Sequence, residues 1–181
     1  MTTKKSNIAI PERFCIAPFY PKNATIPENL LSEKFDQTVS YYFLPDITFY
    51  YGKTTGLVEP PWHNPEKIRN IIMTSWKQTG IPRLKDCFNQ RDRVSAKPLM
   101  LKYLSFYIQL MHWIQGQPVH DIRNVPTDLS QREFSPMNIT DRLSFILTSP
   151  DHHHSFTTLI QIFEETNKKW AIYLKQKKNR G

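Results

Sequence analysis

His120 and Asp121 are adjacent in the chain. An imidazole and a carboxylate side by side can ligate a divalent metal that activates water for hydrolysis. A complete ligand set would need His63 or His112 and a later acid, Asp141 or Asp151. The context opposes this. Pro118-Val119 and Ile122-Arg123 flank the pair in what reads as a loop, and no glycine follows it. His152-His153-His154 offers three imidazoles that could hold zinc. Adjacent helical residues point about 100° apart, so one face cannot gather all three. Gly52-Lys53-Thr54 matches the end of a phosphate-binding loop, but that loop needs a glycine where Ile47 stands. No Gly-x-Ser-x-Gly elbow, Gly-x-Gly-x-x-Gly loop or metal-binding His-Glu-x-x-His occurs. The catalytic candidates are therefore His120 and Asp121, and neither a metal nor a cofactor is expected.

Two further groups bear on binding. Residues 41–51 contain six aromatics, and Pro60-Pro61-Trp62 follows. Tyr and Trp dominate protein interfaces, so Tyr50, Tyr51 and Trp62 are the candidates for a protein partner. Bases also stack on aromatics, but that use calls for interleaved cations, and none stands in this segment before Lys53. The second group is Lys168, Lys169, Lys175, Lys177, Lys178 and Arg180, six cations with no acid over residues 168–181. The net charge is +8, and the remaining 167 residues read as nearly balanced, with 18 basic and 16 acidic side chains. Any contact with nucleic acid is then expected to be borne by this end, weak, electrostatic and indifferent to sequence.

The elements that must carry these groups read as helices. The chain has 181 residues, with only 5 glycines but 14 prolines, which suits helices punctuated by proline. Pro27 would open a helix with Leu31, Phe35, Val39 and Tyr42 on one face, stopped by Pro45. Asn64-Pro65-Glu66 starts a second, with Ile68, Ile71, Ile72, Trp76 and Thr79 inward, ended at Gly80 and Pro82. A short helix over about 82–90 follows. Pro98 opens a long one to about Gln115 that is apolar nearly all round, hence central. Residues 116–137 show no clear period and hold a short helix or a functional loop. A helix from Asn138 or Thr140 runs to Ser149-Pro150, and the last spans about 152–178.

The expected fold is an all-α, single-domain bundle of five or six helices. It divides into a proline-punctuated N-terminal arm over 1–26, a helical domain over 27–174 and a basic tail over 175–181. Ile10, Phe14, Ile16, Phe19 and Tyr20 of the arm are expected to lie across the core, and no β-hairpin is read. Cys15 and Cys87 are too few for a disulfide framework and form no Cys-x-x-Cys. No signal peptide or membrane-spanning segment is evident.

Ile10-Pro11-Glu12-Arg13-Phe14, Pro18-Phe19-Tyr20 and Pro61-Trp62 before a helix together resemble the YpoC-like proteins of Bacillus-type bacteria. The resemblance rests on aromatic and proline positions and covers most of the chain. It implies a bacterial cytoplasmic protein and carries over no catalytic residue. The functional expectation is a non-enzymatic protein-interaction or adaptor module. One alternative is nonspecific nucleic-acid binding through the basic C-terminal helix. The other is a metal-dependent phosphohydrolase of the HD type built on His120 and Asp121.

Overall fold

A helix that is apolar all round has no face to give to water, so it belongs at the centre. The computed structural model, which describes residues 6–181, places α4 (Arg93–Trp113) there. Every side chain from Tyr103 to Trp113 is buried. The expected start at Pro98 is corrected: the helix begins five residues earlier, because the Asp92 carboxylate accepts the Ser95 N–H (3.0 Å) and caps it. Pro98 lies inside the helix beyond its first turn, where its missing N–H leaves the Val94 carbonyl without its helical donor.

Against α4 lies a rod of three joined pieces. These are α2 (Pro65–Ser75), a π-helical turn at Trp76–Gly80, and α3 (Ile81–Asn89). Asn64 caps its start by accepting the Lys67 N–H (3.3 Å). The expected stop at Gly80 does not occur. Gly80 has a helical φ of −61° and Pro82 sits in the first turn of α3, so the chain continues as a helix. Glycine is needed there for close approach. A Cβ at position 80 would lie 2.6 Å from both the Trp76 and Tyr103 rings. The extra residue of the π turn accompanies this contact between two large rings, whose centroids are 4.8 Å apart.

The helix expected over 27–45 is also corrected. After a short 3-10 turn (Glu28–Leu30), residues 31–43 form bends and turns, and α1 spans Leu44–Tyr50. Pro45 opens this helix rather than closing one, since its fixed φ suits a first turn. Phe43 enters α1 with φ +58°, a left-handed conformation costly for a bulky residue. Its ring is buried against Phe14 and Phe19, which holds it there. The apolar spacing of Leu31, Phe35 and Val39 is used by a loop instead. Phe35 packs edge-on to Phe106 and Trp113.

The arm lies on the core as expected, with Ile10, Phe14, Phe19 and Tyr20 buried and Ile16 half-buried. Its first five residues lie outside the described ones. It also holds an unforeseen small antiparallel pair, β1 (Asn7–Ala9) with β2 (Thr25–Pro27), in register Ile8 to Ile26. The Tyr20 hydroxyl clamps the backbone of Tyr42, donating to its C=O (2.9 Å) and accepting from its N–H (2.7 Å).

The C-terminal half follows the sequence closely. α5 (Val125–Ser130) occupies the 116–137 stretch, α6 (Ile139–Thr148) packs on α5 and α7, and α7 runs from His153 to Arg180. Residues 175–180 continue α7 as helix. Trp170 and Phe163 of α7 meet Tyr107 of α4, whose hydroxyl bonds Thr166 Oγ1 (2.9 Å). The architecture is all-α apart from the two short strands, with about 60% of residues helical. Among the described residues no helix is long and apolar enough to cross a membrane.

The Gly80 contact generates a test of sign. On helix propensity alone, Gly80→Ala would stabilise by about 1 kcal/mol. The two rings reverse this, and overpacking of that kind costs about 1–3 kcal/mol. Chemical denaturation should show the variant less stable than the wild type. A gain in stability would mean that the rings do not close on position 80.

Candidate functional site

The His120–Asp121 pair is divided between two other partners. The Asp121 carboxylate is taken by Arg123, two residues on, through an ion pair and several N–H donors. That pairing lowers its pKa, with the Arg123 hydrogen bonds the leading cause. The exposed His120 ring stands edge-on to Phe49, 6.2 Å between centroids. Asp141 and the His152–His154 run lie elsewhere, on α6 and at the start of α7, and Asp151 pairs with Arg93. Among the described residues, no group of three or more His, Cys, Asp or Glu is placed to hold a metal ion. Cys15 and Cys87 are free thiols, both half-buried.

The aromatic candidates separate in the same way. Trp62, named as a candidate for a protein partner, is a core residue. It is 5% exposed, packed on Phe49 and Trp113, because the Pro60-Pro61 turn folds its indole back against α4. The Tyr51 hydroxyl donates to the Ala9 carbonyl and ties α1 to the arm. Tyr50 remains outward, 47% exposed, with the Arg13 guanidinium over its ring at 5.1 Å and Phe49 beside it in sequence.

Two titratable groups of the interior, Asp46 and His112, stand out. The sequence reading named His112 only as a possible metal ligand and did not single out Asp46. Asp46 of α1 is fully buried, and its carboxylate accepts three hydrogen bonds. The donors are Gln109 Nε2 (2.8 Å), Trp113 Nε1 (2.9 Å) and the Val119 N–H (2.7 Å). Burial pushes its pKa up to about 6 against the pull of those donors. His112 of α4 is nearly buried. Its Nδ1 lies 3.1 Å from Arg132, which also donates to Gln115, and its Nε2 has no protein partner. Burial, then Arg132, then His120 push its pKa down to about 3, so the ring is neutral. The sequence signal for Asp46 was present: one acid in an apolar, aromatic run with no cation near it in the chain.

The tail cations are only partly free. Lys169 donates to the Ser135 carbonyl (2.6 Å), and Lys178 pairs with Glu66 at the start of α2. Lys168, Lys175, Lys177 and Arg180 are exposed and unpaired among the described residues. The expectation of a balanced body is corrected by position. Residues 65–102 hold nine basic and three acidic side chains, while residues 103–167 hold three basic and seven acidic. The two blocks cancel in the count but are carried by different elements. Only Arg93 of the nine, paired with Asp151, makes an ion pair among the described residues. Lys67, Lys77, Arg83, Lys85, Arg91 and Lys97 are exposed along α2, α3 and the start of α4. The Lys178–Glu66 pair brings the end of α7 to the start of this rod.

The two buried groups act on stability in opposite directions. An unfolded Asp titrates near ~3.9 and an unfolded His near ~6.5. Folded Asp46, with its pKa raised, contributes most below about pH 4, and this is lost as pH rises through about 6. Folded His112, with its pKa lowered, contributes above about pH 6.5, and this is lost as pH falls toward about 3. Between about pH 4 and 6 the two offset each other. Asp46→Asn should therefore lose more thermal stability than the wild type on acidification from pH 7 to about 4.5, and His112→Gln should lose less. Parallel melting curves for all three proteins would contradict this assignment.

Residues 66–178, from the first turn of α2 almost to the end of α7, match the family described as YpoC-like protein. The chain is 24% identical over 113 residues to the "Uncharacterized protein YpoC" of Bacillus subtilis (strain 168), which covers 62% of this chain and 68% of that protein. No solved structure matches. The matched span contains the helical rod, the central helix and the basic end. It leaves out the arm and the Pro61-Trp62 turn on which the resemblance was first read, so the kinship lies in the bundle. Matched over more than half its length, the chain belongs to the YpoC-like family.

Proposed function

We propose that this protein is a non-catalytic binding module for the phosphate backbone of nucleic acid. One observation carries the reading: exposed cations without ion-pair partners among the described residues recur along α2, α3 and the start of α4, and the end of α7 is brought to the start of α2 by the Lys178–Glu66 pair. A rod of 25 residues is about 37 Å long, a little more than one turn of duplex DNA. Cations spread over that length suit an extended polyanion better than a small one. Phosphate contacts fix position without reading sequence, and the exposed polar surface of the rod offers no other obvious readout.

A second reading, docking of a protein partner, is favoured by Phe49 and Tyr50 standing exposed together on α1. It predicts that Tyr50→Ala abolishes partner capture and leaves nucleic-acid binding unchanged.

Fluorescence anisotropy with a labelled duplex tests the primary reading. Each neutralised phosphate adds about −0.9 to the slope of log K against log salt. The four free tail cations alone would give about −4, and tail plus rod should be steeper than about −5. Deleting residues 175–181 should flatten the slope by about 3 and leave binding detectable at about 50 mM salt. Lys67→Gln, Lys77→Gln and Lys85→Gln combined should remove most of what remains. Binding lost entirely on tail deletion would move the site to the end of α7. Absence of binding at low salt would refute the proposal.

A further inference from the structure

Arg83 of α3 and Lys102 of α4 line one pocket of about 210 Å3, closed on its other side by the 38–42 loop. Lys102 is half-buried. Its Nζ lies 5.9 Å from the ring centroids of both Tyr103 and Phe106, so its aliphatic stem is held against the core. Neither cation makes an ion pair or a side-chain hydrogen bond among the described residues. The nearest acid, Asp36, does not complete the site. Its Oδ1 already accepts from the Thr38 N–H (2.8 Å) and hydroxyl (2.7 Å), and it is not within ion-pair distance of Lys102. Ser40 and Tyr42 also line the pocket, and their hydroxyls make no hydrogen bond to protein among the described residues. Ser95 lines it too, but its side chain is engaged by Asp92.

Two like charges facing one recess repel each other, and partial burial adds a desolvation cost. Lys102 bears both costs: burial and then Arg83 lower its pKa. The Asp36 charge offsets them only in part and from beyond ion-pair distance, and neither head group fastens one element to another. An anion in the recess would offset them directly. The pocket between His63, Glu66, Lys177 and Lys178 differs in this respect, because Glu66 already neutralises Lys178. The size of the Arg83–Lys102 pocket narrows the ligand. Whole-ligand sites run to about 300–1,000 Å3, so this one holds a single compact group. Arg presents a planar fork that matches phosphate oxygens, Lys adds a point charge, and hydroxyls supply further donors.

We propose that the Arg83–Lys102 pocket is a phosphoryl-binding site, with Ser40 and Tyr42 as supporting donors. Arg83 also stands in the basic row, but the site does not require the backbone-binding reading, because a free phosphoryl group can occupy it without any polymer.

The test uses the full chain and inorganic phosphate, compared with chloride at matched ionic strength. Millimolar phosphate should raise the melting temperature and shift the Ser95 and Leu99 amide resonances. Arg83→Gln and Lys102→Gln should each weaken phosphate at least tenfold. Lys22→Gln, an exposed cation of the arm outside both the pocket and the basic row, should bind as the wild type does. Arg83 is exposed, so its variant keeps the fold and decides the matter even where Lys102→Gln does not fold. Competition by a 5′-phosphorylated oligonucleotide, with none by its 5′-hydroxyl counterpart, assigns the group to a strand end. Competition by neither assigns it to free phosphate. No effect beyond chloride, or an effect unchanged in Arg83→Gln, would overturn the proposal.

Discussion

A carboxylate taken out of water without a cation beside it must be repaid by hydrogen bonds, or the site will not form. Asp46 is such a group, and it is satisfied by three donors from two parts of the chain: Gln109 and Trp113 on α4, and Val119 in the stretch beyond it. The bonds hold α1 against the central helix and fold the chain after Gly116 back across it. That stretch then receives the arm, since the Ile122 N–H donates to the Arg13 carbonyl (3.1 Å). Tyr51, five residues after Asp46, binds Ala9 of β1. The buried anion thus joins the irregular N-terminal third to the helical remainder, alongside the packing of Phe35 on Phe106 and Trp113. An apolar residue in its place would leave an indole N–H, an amide and a backbone N–H in a dry interior, each costing about 1–3 kcal/mol.

With its interior aromatic and otherwise uncharged, the molecule carries its function on its outside. The stretch over α2, α3 and the start of α4 is rich in basic side chains, and residues 103–167 are richer in acidic ones. The central helix is common to both. Its first turns add Arg93, Lys97 and Lys102 to the basic stretch, and its second half is wholly interior. Within the basic stretch, cations laid out singly along the rod suit a backbone. The two gathered at Arg83 and Lys102 suit one compact anion. The matched family span, 66–178, includes all of them.

The C-terminal elements were legible because cap, period and stop agreed. Asn64-Pro65 begins α2 and Pro150 separates α6 from α7, and the inward stripe of α7 is continuous from Phe156 to Leu174. The segment over 31–43 misled because apolar residues three and four apart satisfy a helix, yet the same residues can be gathered by turns when a central helix offers rings to pack on. Gly80 and Pro98 misled because both are ordinarily breakers. Tertiary contact with the Trp76 and Tyr103 rings, and an upstream cap at Asp92, overrode those local preferences. The basic stretch was hidden by summing charge over the body rather than by element. Asp46 was hidden because its partners lie more than 60 residues away.

Val119 provides the sharpest measurement of this account. It lies in a non-helical stretch, and its amide is held by the Asp46 carboxylate. Native-state hydrogen exchange followed residue by residue reads that bond directly, because loop amides ordinarily exchange by local opening. If Asp46 fastens the two halves, the Val119 amide exchanges only on global unfolding, as slowly as Tyr107 and Ile108 in the centre of α4. Exchange of Val119 at the rate of its exposed neighbours Gln117 and His120 would show that the buried carboxylate does not hold this chain together.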